Sequence, residues 1–265
     1  MAHNRLRPER PAMLALLHAV EALARQAGVA IMDVYAHDFE VVHKADASPL
    51  TLADARAEAL IVPGLQALDP GVPVVAEEAV ARDGAPAVGR RFWLVDPLDG
   101  TREFVLRNGE FTVNMALVED GVPVLGVVYA PALDRMFCGA PGFGAWLEEG
   151  GQRRTIACRP RPAAGATVAV SRAYGDGVEL QAWLATQQVA AQVAAGSALK
   201  FGLLAAGEAD LYPRFGRTME WDTAAGHAVL LAAGGQIQDL RGQALGYGKP
   251  GFENPHFLAL SLALS

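Results

Sequence analysis

Apolar residues recur in steps of three and four near the start of the chain. Positions 17, 20, 24, 27, 31 and 34 follow this spacing, which predicts an amphipathic helix over residues 11–35. A short strand is predicted at residues 39–43. Further on, Thr51 lies three residues before Asp54, a spacing that resembles a capping box and predicts the start of a second helix. Pro63-Gly64 predicts a kink or break in that helix.

Strand-like apolar runs dominate the next part of the chain. Residues 110–118 and 123–129 flank Glu119-Asp120-Gly121, a hairpin signal, and residues 135–147 predict a second hairpin. Beyond a proline-containing segment at residues 153–165, strands alternate with helices. We therefore predict an α+β half with an antiparallel sheet over residues 1–155 and an α/β half over residues 156–265.

One apolar run ends abruptly in acidic residues. Residues 92–95 predict a buried strand, and Asp96-Pro97 predicts a turn, because proline cannot donate to a ladder. Asp96 and Asp99 are three residues apart, so both carboxylates can face one point together with the Leu98 carbonyl. Oxygen-only ligands suit hard cations, Mg²⁺ above all. The alternative is an ordinary Asp-Pro and Asp-Gly turn.

Residues around this run extend the candidate site. Gly100 permits close backbone approach, and Thr101 places a hydroxyl beside the expected cation. Glu77-Glu78 follows a predicted strand, either as a solvated charge pair or with one glutamate as a ligand near Asp96. His227 is predicted to be a packed or surface residue, since no serine or cysteine nucleophile motif accompanies it.

Two other acids have sufficient structural explanations when each is taken alone. Asp54 could simply be an acid near a helix N-terminus, where the helix dipole favours negative charge. A helix is predicted to begin at or just after Asp222, where the aspartate could serve as the N-cap.

Composition narrows the classes of partner. The chain has 265 residues, of which 52% are hydrophobic, enough to bury a substantial core. A net charge of -7 argues against nucleic acid polymers and anionic membranes as partners. Cys138 and Cys158 have no ligand spacing, which argues against a disulfide framework or structural zinc and predicts a cytoplasmic setting. The polar N-terminus does not resemble a signal peptide, and no uninterrupted apolar stretch is long enough for membrane insertion.

Taken together, these motifs resemble a known phosphatase superfamily. Residues 48–54, 77–78, 96–101 and 221–226 are similar to the lithium-sensitive, magnesium-dependent superfamily of inositol monophosphatase, fructose-1,6-bisphosphatase and the 3'(2'),5'-bisphosphate nucleotidases. Residues 44–46, 102–104, 108–114, 196–201 and 212–216 look most like the CysQ-type bisphosphate nucleotidases. The resemblance implies a layered αβαβα sandwich.

The resemblance also implies two or three Mg²⁺ ions. Glu77, Asp96 and the Leu98 carbonyl would hold the first ion, and Asp96, Asp99 and Asp222 the second. Two ions roughly 3.5–4 Å apart can stabilise both the attacking and the leaving oxygen of an in-line displacement. Thr101, paired with Asp54, would orient and help deprotonate the attacking water, with Glu77 sharing this task through a third, weaker ion.

Substrate contacts are implied mainly in the second half. By resemblance they are Gly100, Thr101, Gly196, Ser197, Lys200 and Arg214. Gly196-Ser197 is expected to open a helix, where backbone N–H groups could cradle a phosphate. One departure is Ser171-Arg172-Ala173-Tyr174, where many bisphosphate nucleotidases have Ser-Arg-Ser-His. Tyr174 could stack on a base instead.

The expected reaction is removal of the 3'-phosphate from adenosine 3',5'-bisphosphate, and from its sulfated precursor 3'-phosphoadenylyl sulfate, in sulfur metabolism. An inositol or sugar monophosphatase is the first alternative, because the metal chemistry is shared. A catalytically silent nucleotide-binding sensor is the second, although retention of Asp54 and Thr101 argues against it. Relatives include homodimers, and the sequence shows no legible interface pattern.

Overall fold

The computed structural model describes residues 10–39, 41–43, 49–172 and 177–261. The predicted base contact of Tyr174 and the motif at residues 44–46 lie outside these ranges. Within them, the α-helices are α1 (Arg10–Tyr35), α2 (Leu52–Leu68), α3 (Glu77–Asp83), α4 (Thr101–Val105), α5 (Val178–Leu184), α6 (Leu199–Ala205) and α7 (Glu220–Ala232). Single 3₁₀ turns occur at Pro131–Leu133 and Pro250–Phe252.

The first half of the chain builds two sheets. A short antiparallel ribbon, β1 (Val41–His43) and β2 (Pro49–Thr51), precedes α2. A seven-stranded sheet follows, whose spatial order is the chain order. Its strands are β3 (Val74–Ala76), β4 (Arg91–Asp99), β5 (Thr112–Glu119), β6 (Val122–Ala130), β7 (Arg135–Ala140), β8 (Gly144–Glu149) and β9 (Gln152–Ile156). Only β3 and β4 pair in parallel, so the predicted hairpins and antiparallel sheet are confirmed.

The second half builds a five-stranded mixed sheet. Its strands are β10 (Ala166–Ser171), β11 (Val189–Ala195), β12 (Leu211–Arg214), β13 (Gln236–Asp239) and β14 (Phe257–Leu260). The spatial order is β11-β10-β12-β14-β13, with β10 parallel to both of its neighbours. The chain thus changes from one sheet to the other between Ile156 and Ala166.

Three clusters of buried side chains define the layers. The first joins α1 and α2 to one face of the seven-stranded sheet, with Trp93 at 0% exposure among its members. The second joins the opposite face to α6, α7 and the five-stranded sheet. The third covers the far face of that sheet with α5. The predicted αβαβα sandwich is confirmed. A division into two units at residue 155 stays a prediction, since the second cluster is built from both halves.

Helix α2 contradicts a break at Pro63-Gly64, whereas a kink there stays a prediction. The helix continues as one element from Leu52 to Leu68 with Pro63 inside it. A Cβ on Gly64 would overlap the side chain of Leu23, so α1 and α2 approach closely at this point. Packing against α1 therefore outweighs the local helix-breaking tendency.

Helix α1 has the length and apolar composition of a possible membrane span, from Pro11 to Tyr35. Its sequence is nevertheless interrupted by His18, Glu21 and Arg25. Its buried residues, which include Leu17 and Ile31, pack against α2 and the seven-stranded sheet. These contacts are those of a core helix, as the periodicity predicts.

Candidate active site

Strand β4 carries the acidic motif through a bulge. The register of β4 against β5 shifts between Asp96 and Asp99, and the strand continues through Pro97. The predicted turn at this proline is therefore wrong. Proline has no N–H to give to a ladder, and a bulge is one of the few positions in a sheet that accepts it. The Leu98 N–H donates to Asp96 Oδ1 at 3.0 Å.

Three distant parts of the chain bring carboxylates together at this bulge. Glu77 begins α3 directly after β3, whose last residue, Ala76, pairs in parallel with Val95, the residue before Asp96. Asp222 lies in the first turn of α7. One carboxylate oxygen from each of Glu77, Asp96 and Asp222 lies within 4.8 Å of the other two.

Asp222 has a different helical position from the predicted one. Helix α7 begins at Glu220, so Asp222 is its third residue and not its N-cap. Asp222 Oδ2 accepts a hydrogen bond from the Met219 N–H at 2.8 Å. This contact fixes the carboxylate beside the start of the helix.

Burial opposes ionisation of two carboxyl groups at the site. Burial raises the pKa of Asp99 to about 6, although the charge of Lys200 and a hydrogen bond from Asn114 Nδ2 act in the other direction. Burial, reinforced by the negative charges of Asp99 and Glu77, raises the pKa of Asp222 well above its ordinary value. A cation among these groups would favour their ionised forms and remove the repulsion.

This donor set fits Mg²⁺. Glu77, Asp96 and Asp222 offer only carboxylate oxygens, which hard divalent cations prefer. Burial first, and then the charges of Asp99 and Glu77, raise the pKa of Asp222, so a bound cation would favour its ionised form. Asp99 and the Leu98 carbonyl border the same bulge, and their roles as ligands stay predictions, as does the number of ions.

A hydroxyl–carboxylate pair lies beside this cluster. Thr101 Oγ1 lies 3.3 Å from Asp54 Oδ1 and 3.4 Å from the Leu98 carbonyl oxygen, and its single hydrogen can be donated to one of them at a time. Asp54 Oδ2 accepts from the N–H of Thr51 at 2.8 Å and from its hydroxyl at 2.7 Å. The predicted capping box is confirmed, and it orients Asp54 towards Thr101.

At the turn of Gly196-Ser197, one of the backbone N–H groups expected to bind phosphate already has a protein partner. The Gly196 N–H donates to Glu110 Oε2 at 2.7 Å, and Ser197 adopts a φ of 51°. Helix α6 begins later than predicted, at Leu199. Ser197 Oγ lies 2.9 Å from the Asp99 carbonyl oxygen, next to Gly100.

Lys200 and Arg214 lie on elements adjoining this turn. Lys200 is 2% exposed, and its Nζ donates to the carbonyls of Ala195 at 3.1 Å and Ser197 at 2.6 Å. Burial lowers the pKa of Lys200 to about 8, against the opposing effect of Asp99. Arg214 ends β12, and its Nη2 donates to the Arg217 carbonyl at 3.2 Å. Their substrate contacts stay predictions.

Two residues at the site had no role assigned from sequence. Asn114 donates to Asp99 Oδ2 at 3.2 Å, and its signal was a polar residue inside an apolar strand. Glu110 binds Arg172 and the Gly196 N–H, which no local pattern indicates. His227 is buried and its Nδ1 lies 3.0 Å from the Tyr247 hydroxyl, so the prediction of a packed histidine is confirmed.

Comparison with known proteins agrees with this geometry. The inositol monophosphatase family matches residues 14–261. The 3'(2'),5'-bisphosphate nucleotidase CysQ of Escherichia coli (strain K12) is 49% identical over 245 residues, which cover 91% of this chain and 98% of that protein. The CysQ protein of Buchnera aphidicola is 40% identical over 253 residues, covering 93% and 94%.

Solved structures give the same result. CysQ from Bacteroides thetaiotaomicron, described as a bacterial member of the inositol monophosphatase family, has a TM-score of 0.77 and 35% identity, covering 97% of this chain and 98% of that one. An inositol monophosphatase from Zymomonas mobilis has a TM-score of 0.76 and 26% identity, covering 96% and 94%. The chain belongs to the inositol monophosphatase family.

Proposed function

We propose that this chain is a Mg²⁺-dependent phosphomonoesterase that removes the 3'-phosphate of adenosine 3',5'-bisphosphate, and also that of 3'-phosphoadenylyl sulfate. The observation that carries the chemistry is the convergence of Glu77, Asp96 and Asp222 beside the Asp54–Thr101 pair. The choice of substrate is supported by the CysQ relatives, which are named 3'(2'),5'-bisphosphate nucleotidases and are up to 49% identical.

The acidic cluster is the proposed magnesium site. Glu77, Asp96 and Asp222 would hold the cation, with Asp99 and the Leu98 carbonyl completing the ligand set. Mg²⁺ bound there supplies positive charge, which offsets the phosphate dianion and lowers the pKa of water. The carboxylates alone would repel the substrate phosphate, so activity requires the metal.

Asp54 and Thr101 are proposed to move the proton of the attacking water. Because Thr51 holds Asp54 Oδ2, the other oxygen is directed to Thr101, and the threonine hydroxyl can donate to it. The oxygen of Thr101 then accepts a hydrogen bond from water. As water attacks phosphorus, its proton passes to the Thr101 oxygen while the Thr101 proton passes to Asp54, which later returns it to solvent. The bond between phosphorus and the 3'-oxygen breaks, and adenosine 5'-phosphate and inorganic phosphate are released. Solvent supplies the proton that the 3'-oxygen takes up.

The substrate would lie between the bulge and the second half of the chain. Gly100 and Thr101 lie at the bulge. The second half contributes Gly196, Ser197, Lys200 and Arg214. The substrate is a small molecule. A cytoplasmic location and a homodimer are further predictions from the sequence and its resemblance.

The test is phosphate release from adenosine 3',5'-bisphosphate and from inositol 1-phosphate, measured with Mg²⁺ and repeated with Li⁺ added. We expect faster turnover of the nucleotide, dependence on Mg²⁺ and inhibition by Li⁺. Faster turnover of inositol 1-phosphate would replace the proposal with an inositol monophosphatase. Binding of the nucleotide without phosphate release would indicate a sensor.

A further inference from the structure

A carboxylate outside the acidic cluster joins the two halves of the chain. Glu110 Oε2 accepts from Arg172 Nε at 2.8 Å, and Glu110 Oε1 accepts from Arg172 Nη2 at 2.6 Å. Glu110 Oε2 also accepts from the Gly196 N–H at 2.7 Å. Arg172 follows β10, and Gly196 follows β11. One side chain from the loop before β5 therefore binds the ends of two neighbouring strands of the other sheet.

The turn that Glu110 holds also contacts the backbone of the acidic motif. Ser197 Oγ lies 2.5 Å from the Glu110 carbonyl oxygen and 2.9 Å from that of Asp99. A Cβ on Gly100 would overlap Ser197 Oγ, and a Cβ on Gly196 would overlap Glu110. Ser197 has a φ of 51°, a left-handed conformation that a non-glycine residue keeps only where its surroundings hold it.

We propose that Glu110 is a positioning residue for both the metal site and the substrate. By holding Arg172 and the Gly196 N–H, its carboxylate locks the turn at residues 196–197 against Asp99 and Gly100. It acts through Ser197, so its effect reaches the bulge that carries Asp96 and Asp99. The substrate side of this proposal rests on the function proposed above.

The contacts favour a geometric role over a stabilising one. The Arg172 side chain is 46% exposed and the Glu110 side chain 19%, and a partly solvated ion pair of this kind contributes little to stability. Burial raises the pKa of Glu110, but the hydrogen bonds and charge of Arg172, with the Gly196 N–H, lower it overall. The carboxylate therefore stays ionised at neutral pH and can accept from both Arg172 and the Gly196 N–H.

The test compares Glu110→Gln with Arg172→Lys, Arg172→Met and the Glu110→Gln/Arg172→Met double variant. The matched control is Glu21→Gln, which breaks a bidentate pair between Glu21 and Arg153, at 2.7 and 3.0 Å, on α1 and β9. Thermal unfolding without substrate gives the melting temperature and the Mg²⁺ concentration at half of the thermal stabilisation. Steady-state kinetics give KM and kcat for adenosine 3',5'-bisphosphate.

For Glu110→Gln we expect the Mg²⁺ midpoint and KM each to rise about 10-fold, because groups that orient ligands from outside the ligand set commonly change affinity by this factor. The double variant should raise the Mg²⁺ midpoint and KM no further than either single variant does, because both substitutions remove the same interaction. Arg172→Lys keeps the charge without the bidentate geometry and should recover part of the loss. Glu21→Gln should lower the melting temperature but leave the Mg²⁺ midpoint and KM unchanged.

Three results would overturn the proposal. The first is a lower melting temperature of Glu110→Gln with an unchanged Mg²⁺ midpoint and KM, and the second is strict additivity in the double variant. Should Glu110→Gln not fold, an unchanged midpoint and KM in Arg172→Met would be the third. If the wild-type chain releases no phosphate from the bisphosphate, the proposed substrate fails, while the Mg²⁺ titration still decides the role of Glu110.

Discussion

Substitution of Asp99 by asparagine tests two effects of the Asp99 charge separately, its cost to folding stability and its proposed contribution to catalysis. Without metal, wild-type Asp99 has a folded-state pKa of about 6 against an ordinary value of 3.8. Above pH 6 the folded chain must ionise this partly buried carboxyl, so its charge destabilises the fold. As the pH falls from about 6 to 3.8, the folded state takes up a proton before the unfolded state does, and the penalty declines over this window. Asp99→Asn removes the charge at every pH.

The pKa difference sets the size of the effect. The interval between 3.8 and about 6 corresponds to at most about 3 kcal/mol of unfolding free energy. For a chain of 265 residues, each kcal/mol moves the melting temperature by roughly 2–4 °C. In a metal-free buffer at pH 8 we therefore expect Asp99→Asn to melt at most about 6–12 °C above the wild type. The gap should fall to about half of this value at pH 5, which lies midway between the two pKa values.

Addition of Mg²⁺ should reverse this order. A cation present at about 1,000 times its dissociation constant stabilises the wild-type fold by about 4.1 kcal/mol, which exceeds the penalty of about 3 kcal/mol. Asp99→Asn lacks one proposed ligand charge and should gain far less. Phosphate release from the variant should be lost, since its carboxamide cannot replace the carboxylate.

The assay is thermal unfolding from pH 5 to pH 8, with a chelator and with excess Mg²⁺, followed by phosphate release at pH 8. The difference between variant and wild type cancels contributions from titrating groups that Asp99 does not influence, such as His227. Asp222, whose pKa the charge of Asp99 helps to raise, contributes to the same difference. A wild-type melting temperature that Mg²⁺ does not change would refute the metal site. Equal metal-free stability of the two proteins at pH 8 would refute the electrostatic argument.

Three further predictions concern neighbouring residues. Thr101→Val should lower kcat by about 10²- to 10⁴-fold while Mg²⁺ still raises the melting temperature; unchanged kcat would exclude Thr101 from proton transfer. Gly126→Ala should destabilise the chain by about 1–3 kcal/mol in denaturant titrations, because its Cβ would overlap the Ala225 carbonyl, whereas Gly89→Ala, in open space, should not. Burial lowers the pKa of His227 to about 3, so between pH 6.5 and pH 5 only the unfolded state takes up its proton. The His227 contribution to stability should fall there by about 1.4 kcal/mol per pH unit, so the stability difference between wild type and His227→Gln should change with this slope; a difference that does not depend on pH would contradict the assignment.

The sequence predicts those parts of the fold that depend on local periodicity. Helix α1 and the hairpin of β5 and β6 follow from apolar spacing and a turn signal. The local breaker Pro63 misleads because the contact that outweighs it, between Gly64 and Leu23, joins residues far apart in sequence. The bulge at Pro97 depends on pairing with β5, and no local pattern shows that pairing.

The residues of the candidate site also fall into two groups, those that a local sequence pattern predicts and those that only tertiary contacts identify. Asp96 and Asp99 are recognisable because two acids, a proline and a glycine interrupt an apolar strand within a few residues. Glu110 is not recognisable, since its partners lie 62 and 86 residues away and consist of one guanidinium and one backbone N–H. A side chain such as Glu110 is placed by tertiary contacts, and those contacts leave no periodic pattern in the sequence.

Packing of α7 on the seven-stranded sheet connects the core to the chemistry. Asp222 reaches Asp96 only because α7 lies directly on β6, where Gly126 leaves room for the Ala225 carbonyl. On the same helix Gly226 lies against the ring of Phe201, so α6 is held close as well. The helix that supplies Asp222 and the helix that follows Ser197 are thus positioned by one buried cluster. The separation of the carboxylates is therefore a property of the core, and we expect a change that moves α7 by the size of one methyl group to alter the proposed metal site without touching any of its carboxylates.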